Sequence, residues 1–508
     1  MSVDLLVVGG GINGAGIARD AVGRGFKVAL CEQHDLAAHT SSASTKLIHG
    51  GLRYLEFFHF GLVRKALLER EVLMALAPHI ITPLRFVMPQ ESHLRPAWMI
   101  RCGLLLYDHL ARRRVLPGSE RIRLQSHPAG AALAAEYRDG FTYYDAWVDD
   151  ARLVVLNAMA AASQGARIMN YQRVDDLRAT GGGWLATLTA ANGARTELQA
   201  RAVVNATGPW AAQFRRMATP DAGAHGLRLV KGSHIIVRRL FDHDDAYIFQ
   251  ADDRRIVFAI PYEGDFTLVG TTDIDYTGPI DKVGIDPAEV QYLCAQVNHY
   301  FRQQIGPADV LGSYSGVRPL LADESSDARG VSRDYHLEFR ADPAPMLSVF
   351  GGKITTYRVL AEQAVSLLAE KTGRAAPAWT HNAKLPGGDL PAGGLAAYVT
   401  WLRVQYPWLP LALAQRYARS YGSLTVQMLR SATNYADLGA EILPQLHSRE
   451  VQYLRQHEFA VTAEDILWRR TKLGLHLPPQ AAATLRTWMD GIPGASPGAS
   501  YEAIRVST

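Results

Sequence analysis

Three glycines near the N-terminus, Gly9, Gly11 and Gly14, stand in G-x-G-x-x-G register, and their setting restricts the fold more than any other feature of the chain. A short apolar run from Asp4 to Val8 leads into them, Ala15 to Gly25 has helical character, and Phe26 to Glu32 returns to strand. A β-α-β unit of about thirty residues is the size a parallel crossover requires. In such a unit the first glycine permits the tight turn, the second lets backbone approach a pyrophosphate, and the third packs helix on strand. The helix N-terminus then offers unpaired N–H groups and partial positive charge to the phosphates. Glu32, at the end of the second strand, is placed to accept hydrogen bonds from an adenosine ribose, and an acid there disfavours NADP. The turn alone does not separate FAD from NAD.

At 508 residues the chain is too long for one hydrophobic core, so two or three domains are expected. Strand character recurs at Arg201 to Ala206 and at Met346 to Phe350, each ending in a glycine-bearing turn, as if one sheet were interrupted by insertions. Leu227 to Asp275 alternates apolar and polar residues in the manner of an antiparallel sheet. Pro377 to Gly394 is rich in proline and glycine and reads as a linker, beyond which Leu409 to Tyr421 and Thr462 to Leu473 read as helices. Thr462 and Asp465 have capping-box spacing. The fold class is therefore α/β: a Rossmann-like domain (1–77, 145–212 and 345–380), an inserted antiparallel-sheet substrate domain (78–144 and 213–344), and a C-terminal helical cap domain (381–508).

Composition narrows the function classes. With 48% hydrophobic and 20% charged residues the chain falls among ordinary globular proteins, and a net charge of +4 over this length argues against a dedicated nucleic-acid binder. Cys31, Cys102 and Cys294 form no C-x-x-C, so neither a disulfide framework nor a zinc site is expected. Leu5 to Ala18 is uncharged but follows Asp4 and carries five glycines, which makes it strand and turn rather than a signal peptide. No apolar run is long enough for a membrane-crossing helix.

Three further segments favour FAD. Thr40 to Gly51, TSSASTKLIHGG, supplies hydroxyls and small residues suited to an extended cofactor running past the pyrophosphate. NATGPW from Asn205 to Trp210 and FGGKITTYR from Phe350 to Arg358 add glycine turns. Gly351 and Gly352 bring backbone close to a ring, and Thr355 and Thr356 open a helix whose N-terminus stabilises negative charge on a reduced flavin.

The ordered set GGGINGAG, SSASTKLIHGGLRYLE, HLRPAWMIR, WVDDARLV, NATGPW, KGSHI, GTTD, YSGVRPL and FGGKITTYR, from about Asp4 to the LWRRTK stretch ending at Lys472, resembles the FAD-dependent glycerol-3-phosphate dehydrogenases of the aerobic, respiratory type. The resemblance implies non-covalently bound FAD, oxidation of sn-glycerol 3-phosphate to dihydroxyacetone phosphate, and electron transfer to membrane quinone at the cytoplasmic face of the inner membrane. It implies FAD contacts at Gly9, Gly11, Asn13, Gly14, Glu32, Thr40, Ser41, Ser42, Ser44, Lys46, His49, Gly208, Gly352 and Thr355. Its substrate site falls on Arg53, Tyr54, His234, Thr271, Arg318, Arg333 and Lys353.

The chemistry asks for residues of these kinds. A phosphomonoester carries nearly two negative charges at neutral pH, and Arg53, Arg318, Arg333 and Lys353 supply cations from four separate segments. Loss of a hydroxyl proton needs a base, for which His49 and His234 are the conventional candidates; Arg318, always protonated, is expected to orient and stabilise the alkoxide. From Arg95 to Arg114, Trp98, Met99, Leu105, Leu106 and Leu110 lie between arginines, a pattern suited to an interfacial helix on anionic lipid. Competing readings are an oxidase using oxygen, an amino-acid oxidase and a non-catalytic flavin-binding redox sensor; a homodimer is left open.

Overall fold

The parallel crossover expected at the N-terminus nucleates a sheet whose neighbours come from all over the chain. The computed structural model describes residues 2–91, 95–219, 227–253, 255–270, 272–321, 334–374 and 377–491. Its first sheet runs His336–Arg340, Met346–Phe350, Arg195–Asn205, Ser2–Val8, Val28–Cys31, Arg167–Met169, extended by the hairpin Gln172–Thr180 and Gly183–Ala190. From Met346–Phe350 to Arg167–Met169 every pairing is parallel, and the buried ends of these strands, such as Leu5–Val8, Val28–Cys31 and Ala202–Val204, read as apolar runs. Val8 aligns with Cys31 on one side and Asn205 on the other, which brings the glycine turn and the NATGPW turn to one edge. Helices Ile12–Gly23, Asp150–Ser163 and Tyr357–Lys371 cover one face. Tyr357 lies against Gly16, where a Cβ would approach its ring to 2.8 Å, and its hydroxyl accepts from Asn157 Nδ2 at 3.0 Å.

A second sheet of ten strands holds the predicted antiparallel region: Leu227–Arg238, Ala246–Gln250, Ile256–Tyr262, Phe266–Gly270 and Ile274–Asp275. Gly312–Leu321 pairs along Leu227–Arg238, while Ile81–Pro89 joins Ala246–Gln250 by a parallel pairing. This sheet also takes Leu47–Ile48 from inside the expected segment 1–77. Strand Asp139–Val148 crosses the expected limit at 144, because its hydrogen bonds to Ile81–Pro89 continue unbroken from Gly140 to Val148.

Past Pro377 the chain forms helices Gly394–Gln405, Leu411–Tyr421, Leu424–Leu429, Ser448–His457 and Ala481–Asp490 around a core that includes Leu413, Tyr417, Val451, Leu454 and Leu485. Asp465–Arg470 is a π-helical turn, opened by reciprocal Thr462 and Asp465 hydrogen bonds in the expected capping arrangement. Buried ion pairs fasten this domain to the rest: Glu458 grips Arg152, Arg469 and Arg470 grip Asp35, and Lys472 grips Asp149 at 2.7 Å.

Candidate functional site

The glycine turn behaves as its spacing predicts. Gly9 has φ +112°, and a Cβ there would meet the Ala206 carbonyl oxygen at 2.4 Å; at Gly14 it would meet the Gly9 carbonyl oxygen at 1.9 Å. Helix Ile12–Gly23 starts with no acidic residue in its first turn and no side-chain cap, and Ile12 N–H donates to Ser41 Oγ at 3.0 Å. The Glu32 carboxylate accepts from the N–H groups of Gly10 (2.7 Å) and His34 (2.9 Å); burial raises its pKa against these two bonds.

Two cavities meet at this turn. The smaller, about 310 Å³, is lined by Glu32, Gln33, His39, Arg173, Trp210 and Gln213 among others. The larger, about 680 Å³, runs past Thr40, Ser41, Ser44, His49, Gly352 and Thr355 to Arg53, Tyr54, Arg318 and Lys353. Gly11, Thr40, Ser41 and Gly208 line both. The paired volumes suit an elongated cofactor crossing the helix N-terminus with one half on each side.

At the far side of the large cavity Gly351 and Gly352 have φ +76° and +102°, and a Cβ on Gly352 would come within 2.9 Å of Asn13 Nδ2. Asn13 Nδ2 donates to the Gly351 carbonyl at 3.2 Å, while its Oδ1, buried, has no hydrogen-bond partner among the described residues. An unsatisfied acceptor on the cavity wall, glycines whose Cβ positions are filled, and a helix N-terminus with no acid in its first turn fit a flavin dinucleotide. Thr355 Oγ1 accepts from His49 N–H at 3.2 Å and fixes the SSAS loop against the helix Tyr357–Lys371.

Not every expected residue reaches the cavity. Ser42, Lys46 and His234 are not among its lining residues. Lys46 is buried, with Nζ donating to Asp150 Oδ2 at 2.7 Å and to the Ser42 carbonyl at 2.5 Å, so it holds the loop from behind. His234, expected as a second base, stands behind the cavity wall. It is fully buried in strand Leu227–Arg238, stacked on Tyr314, on the same face of the sheet as Arg318, with Nε2 3.0 Å from Oγ1 of the cavity-lining Thr45. Burial, helped by Arg318 and Lys46, keeps its pKa well below 6.5. Arg318 does line the cavity; its guanidinium lies against Gly232 and donates to Asp273 Oδ1 at 2.6 Å. The Lys353 ammonium stands 4.1 Å above the Tyr54 ring. Thr271 and Arg333 lie outside the described residues.

Several residues at or behind the cavity wall had no sequence signal for their roles. Asp273 holds Arg318, and Asp150 organises the loop through Lys46 and Ser44. His39 packs edge-on to Trp210 in the smaller cavity, its pKa pulled to about 4 by burial and the neighbouring His34 and Arg469. Asp150 in WVDD and Asp273 in GTTD stood in quoted motifs, and neither motif's spacing says which cation the acid holds.

A parallel dinucleotide domain, a second sheet closing over it and a cationic cavity beyond the turn define a flavin-dependent oxidoreductase. Family profiles agree: "FAD dependent oxidoreductase" matches residues 4–358, and "C-terminal domain of alpha-glycerophosphate oxidase" matches 378–491. The chain is 52% identical to the glycerol-3-phosphate dehydrogenase of Pseudomonas aeruginosa, over 96% of this chain and 94% of that one. It is 46% identical to the aerobic glycerol-3-phosphate dehydrogenase of Escherichia coli (96% and 97%) and 47% identical to the D-erythritol 1-phosphate dehydrogenase of Brucella abortus (96% and 97%). The solved glycerol-3-phosphate dehydrogenase of Bacillus halodurans, complexed with FAD, superposes with a TM-score of 0.76 at 27% identity, covering 96% of this chain and 90% of that one. The chain belongs to the FAD-dependent oxidoreductase family, in its glycerol-3-phosphate dehydrogenase group, and its cofactor is FAD.

Proposed function

We propose that the protein oxidises sn-glycerol 3-phosphate at C2 to dihydroxyacetone phosphate and passes the electrons to membrane quinone. The observation that carries the substrate reading is that Arg53, Arg318 and Lys353, from three distant segments, line one cavity together with His49 and the Gly351–Gly352 turn. Arg53 and Lys353 neutralise the phosphate, with Arg333 and Thr271 completing its contacts. Bound FAD supplies the acceptor for the hydride leaving C2. His49 accepts the C2 hydroxyl proton as the alkoxide becomes a carbonyl, and Arg318, held by Asp273, steadies the developing negative charge on that oxygen. The apolar walls contributed by Leu52, Ile354 and Phe258 exclude water from the reacting centre.

The acceptor reading rests on the protein's surface. No helix among the described residues is long and apolar enough to cross a membrane. Helix Ala97–His109 instead exposes Trp98 (67%), Met99, Leu105 and Leu106, beside exposed Phe57, Phe58 (78%) and Phe60. Arg95 ties the two segments together through Glu56 at 2.5 Å, and Phe58, Phe60, Met99 and Leu106 also line the large cavity. An apolar rim of this kind on the cytoplasmic face of the inner membrane gives a lipid-borne quinone a route toward the flavin. Leu110, expected on the lipid side, packs instead on the protein core.

Anaerobic addition of glycerol 3-phosphate should bleach the flavin band near ~450 nm, as hydride transfer requires; an unbleached band would remove the glycerol 3-phosphate reading, and a band unbleached by erythritol 1-phosphate as well would leave the redox sensor. Peroxide release without a quinone analogue would assign an oxidase. The Brucella relative supports a second reading, a four-carbon polyol phosphate, and a larger kcat/KM for erythritol 1-phosphate would establish it.

A further inference from the structure

The segment Gln33–His39, which follows the ribose acid, walls the smaller cavity with Gln33, Ala37, Ala38 and His39. Within the dinucleotide domain Leu36 is buried in the core, Ala37 N–H donates to the Gly10 carbonyl at 3.1 Å, and His34 N–H to Glu32 at 2.9 Å. Ala37 adopts φ +63°, a conformation that costs a residue with a Cβ. Its charged anchor comes from elsewhere. Asp35 is buried, and its carboxylate is received by two guanidinium groups of the C-terminal domain: Arg470 by two bonds of 2.8 Å, and Arg469 through Nε at 2.5 Å. Arg470 also donates to the Glu458 carbonyl (3.0 and 2.8 Å) and so is braced from its own side. A second tie runs parallel, from Asp465 through the Tyr171 hydroxyl at 2.8 Å, with Tyr171 N–H donating to the His34 carbonyl at 3.0 Å.

We propose that Arg469 and Arg470 of the C-terminal domain are cofactor-positioning residues: by gripping Asp35 they fix the loop that closes over the adenosine half of FAD, so that docking of this domain slows FAD release. The π-helical turn is what makes the grip geometrically available, because its wider winding presents two consecutive arginines to one carboxylate. A bidentate pair fixes orientation as well as distance, and a loop held in that way cannot swing from the ribose without breaking several charge-assisted bonds.

The test uses holoenzyme and measures the rate of FAD release after dilution, from the recovery of free-flavin fluorescence. Asp35→Asn should release FAD about tenfold faster or more, the scale typical of a lost outer-sphere support, with an unchanged visible flavin spectrum, since His49 and Thr355 are untouched. Arg470→Lys, which keeps charge but not the fork, should fall between wild type and Arg470→Met. The comparator is Glu458→Gln, an isosteric charge deletion at the same interface whose partner Arg152 is not on the loop. If Asp35→Asn and Glu458→Gln accelerate release equally at matched loss of melting temperature, or if Asp35→Asn leaves release unchanged, the proposal is overturned. Should Asp35→Asn and Arg470→Met fail to fold, Arg469→Gln, at the more exposed of the two arginines, gives the same comparison.

Discussion

Lys46 and Asp150 form an ion pair with no access to water, Nζ to Oδ2 2.7 Å, and the same Asp150 oxygen accepts from Ser44 Oγ at 2.6 Å. The pair is the hub of the SSAS loop, and Lys46 holds φ +61° to reach it. Desolvation pulls the Lys46 pKa below its ordinary value while Asp150 opposes it.

Removing one partner strands the other. Asp150→Asn should cost about 3–5 kcal/mol of stability, the range for breaking a buried pair. Combining it with Lys46→Met should recover part of that loss. Urea titration of the FAD-saturated protein checks both; additive losses in the double variant would show that the two side chains are not coupled.

Glycines of positive φ should differ in their effect on the cofactor. Gly352→Ala meets Asn13 at 2.9 Å in addition to its positive φ, whereas Gly25, φ +81°, has open space around its Cβ position and lines neither cavity. We expect Gly352→Ala to purify with far less FAD per chain and Gly25→Ala to lose only about 1–2 kcal/mol from the αL penalty. Equal flavin content in the two variants would contradict the assignment of the Gly352 turn to the cofactor wall.

Flavin reduction separates the three candidates for chemistry. In rapid mixing with glycerol 3-phosphate, Arg318→Ala should slow reduction by about 10²–10³ and His49→Ala by about 10²–10⁴. His234→Gln should change the rate by less than about tenfold, since its ring meets Thr45 rather than the open cavity. A His234 effect as large as that of His49 would return it to the list of bases.

Acid should loosen the join between domains. His79 is fully buried, its ring lying against Gly387 and Gly422, and neither nitrogen has a hydrogen-bond partner among the described residues. Burial lowers its pKa from 6.5 to about 3, Arg152 adding to the effect and Asp149 opposing it. The unfolded chain therefore takes up a proton below about pH 6.5 that the native state refuses until about pH 3, and this contribution to stability is lost as pH falls through that window. His79→Gln should flatten the acid side of the melting-temperature profile by up to about 1.4 kcal/mol per pH unit; an unchanged slope would exclude His79 as the source.

The exposed rim should govern lipid binding. Trp98→Glu and Phe58→Glu should each reduce co-sedimentation with anionic vesicles, and charge reversal at Arg112 and Arg114 should reduce it further in low salt. Binding equal to wild type in all of them would refute the interfacial role.

Much of the site was legible because its chemistry is local. A glycine needed for a turn, an acid ending a strand and a pair of threonines opening a helix each declare themselves within a few residues. The setting of His234 was not legible, because nothing in its strand says that Thr45, 189 residues away, stands between its ring and the cavity. Asp149 and Asp150 stood in a recognised motif, yet their partners Lys472 and Lys46 are set by packing over separations of 323 and 104 residues. The grip of Arg470 on Asp35 spans 435 residues and had no local signature at all.

The order of strands in the first sheet also sets a timetable for synthesis. Ser2–Val8 leaves the ribosome well before its parallel neighbour Arg195–Asn205 and the next strand, Met346–Phe350. Until then a hydrophobic strand edge stands open, a state exposed to misassembly and slow to close. Nascent chains arrested before Met346 should consequently need chaperone cover, and FAD has no complete wall to bind until translation has passed Thr355.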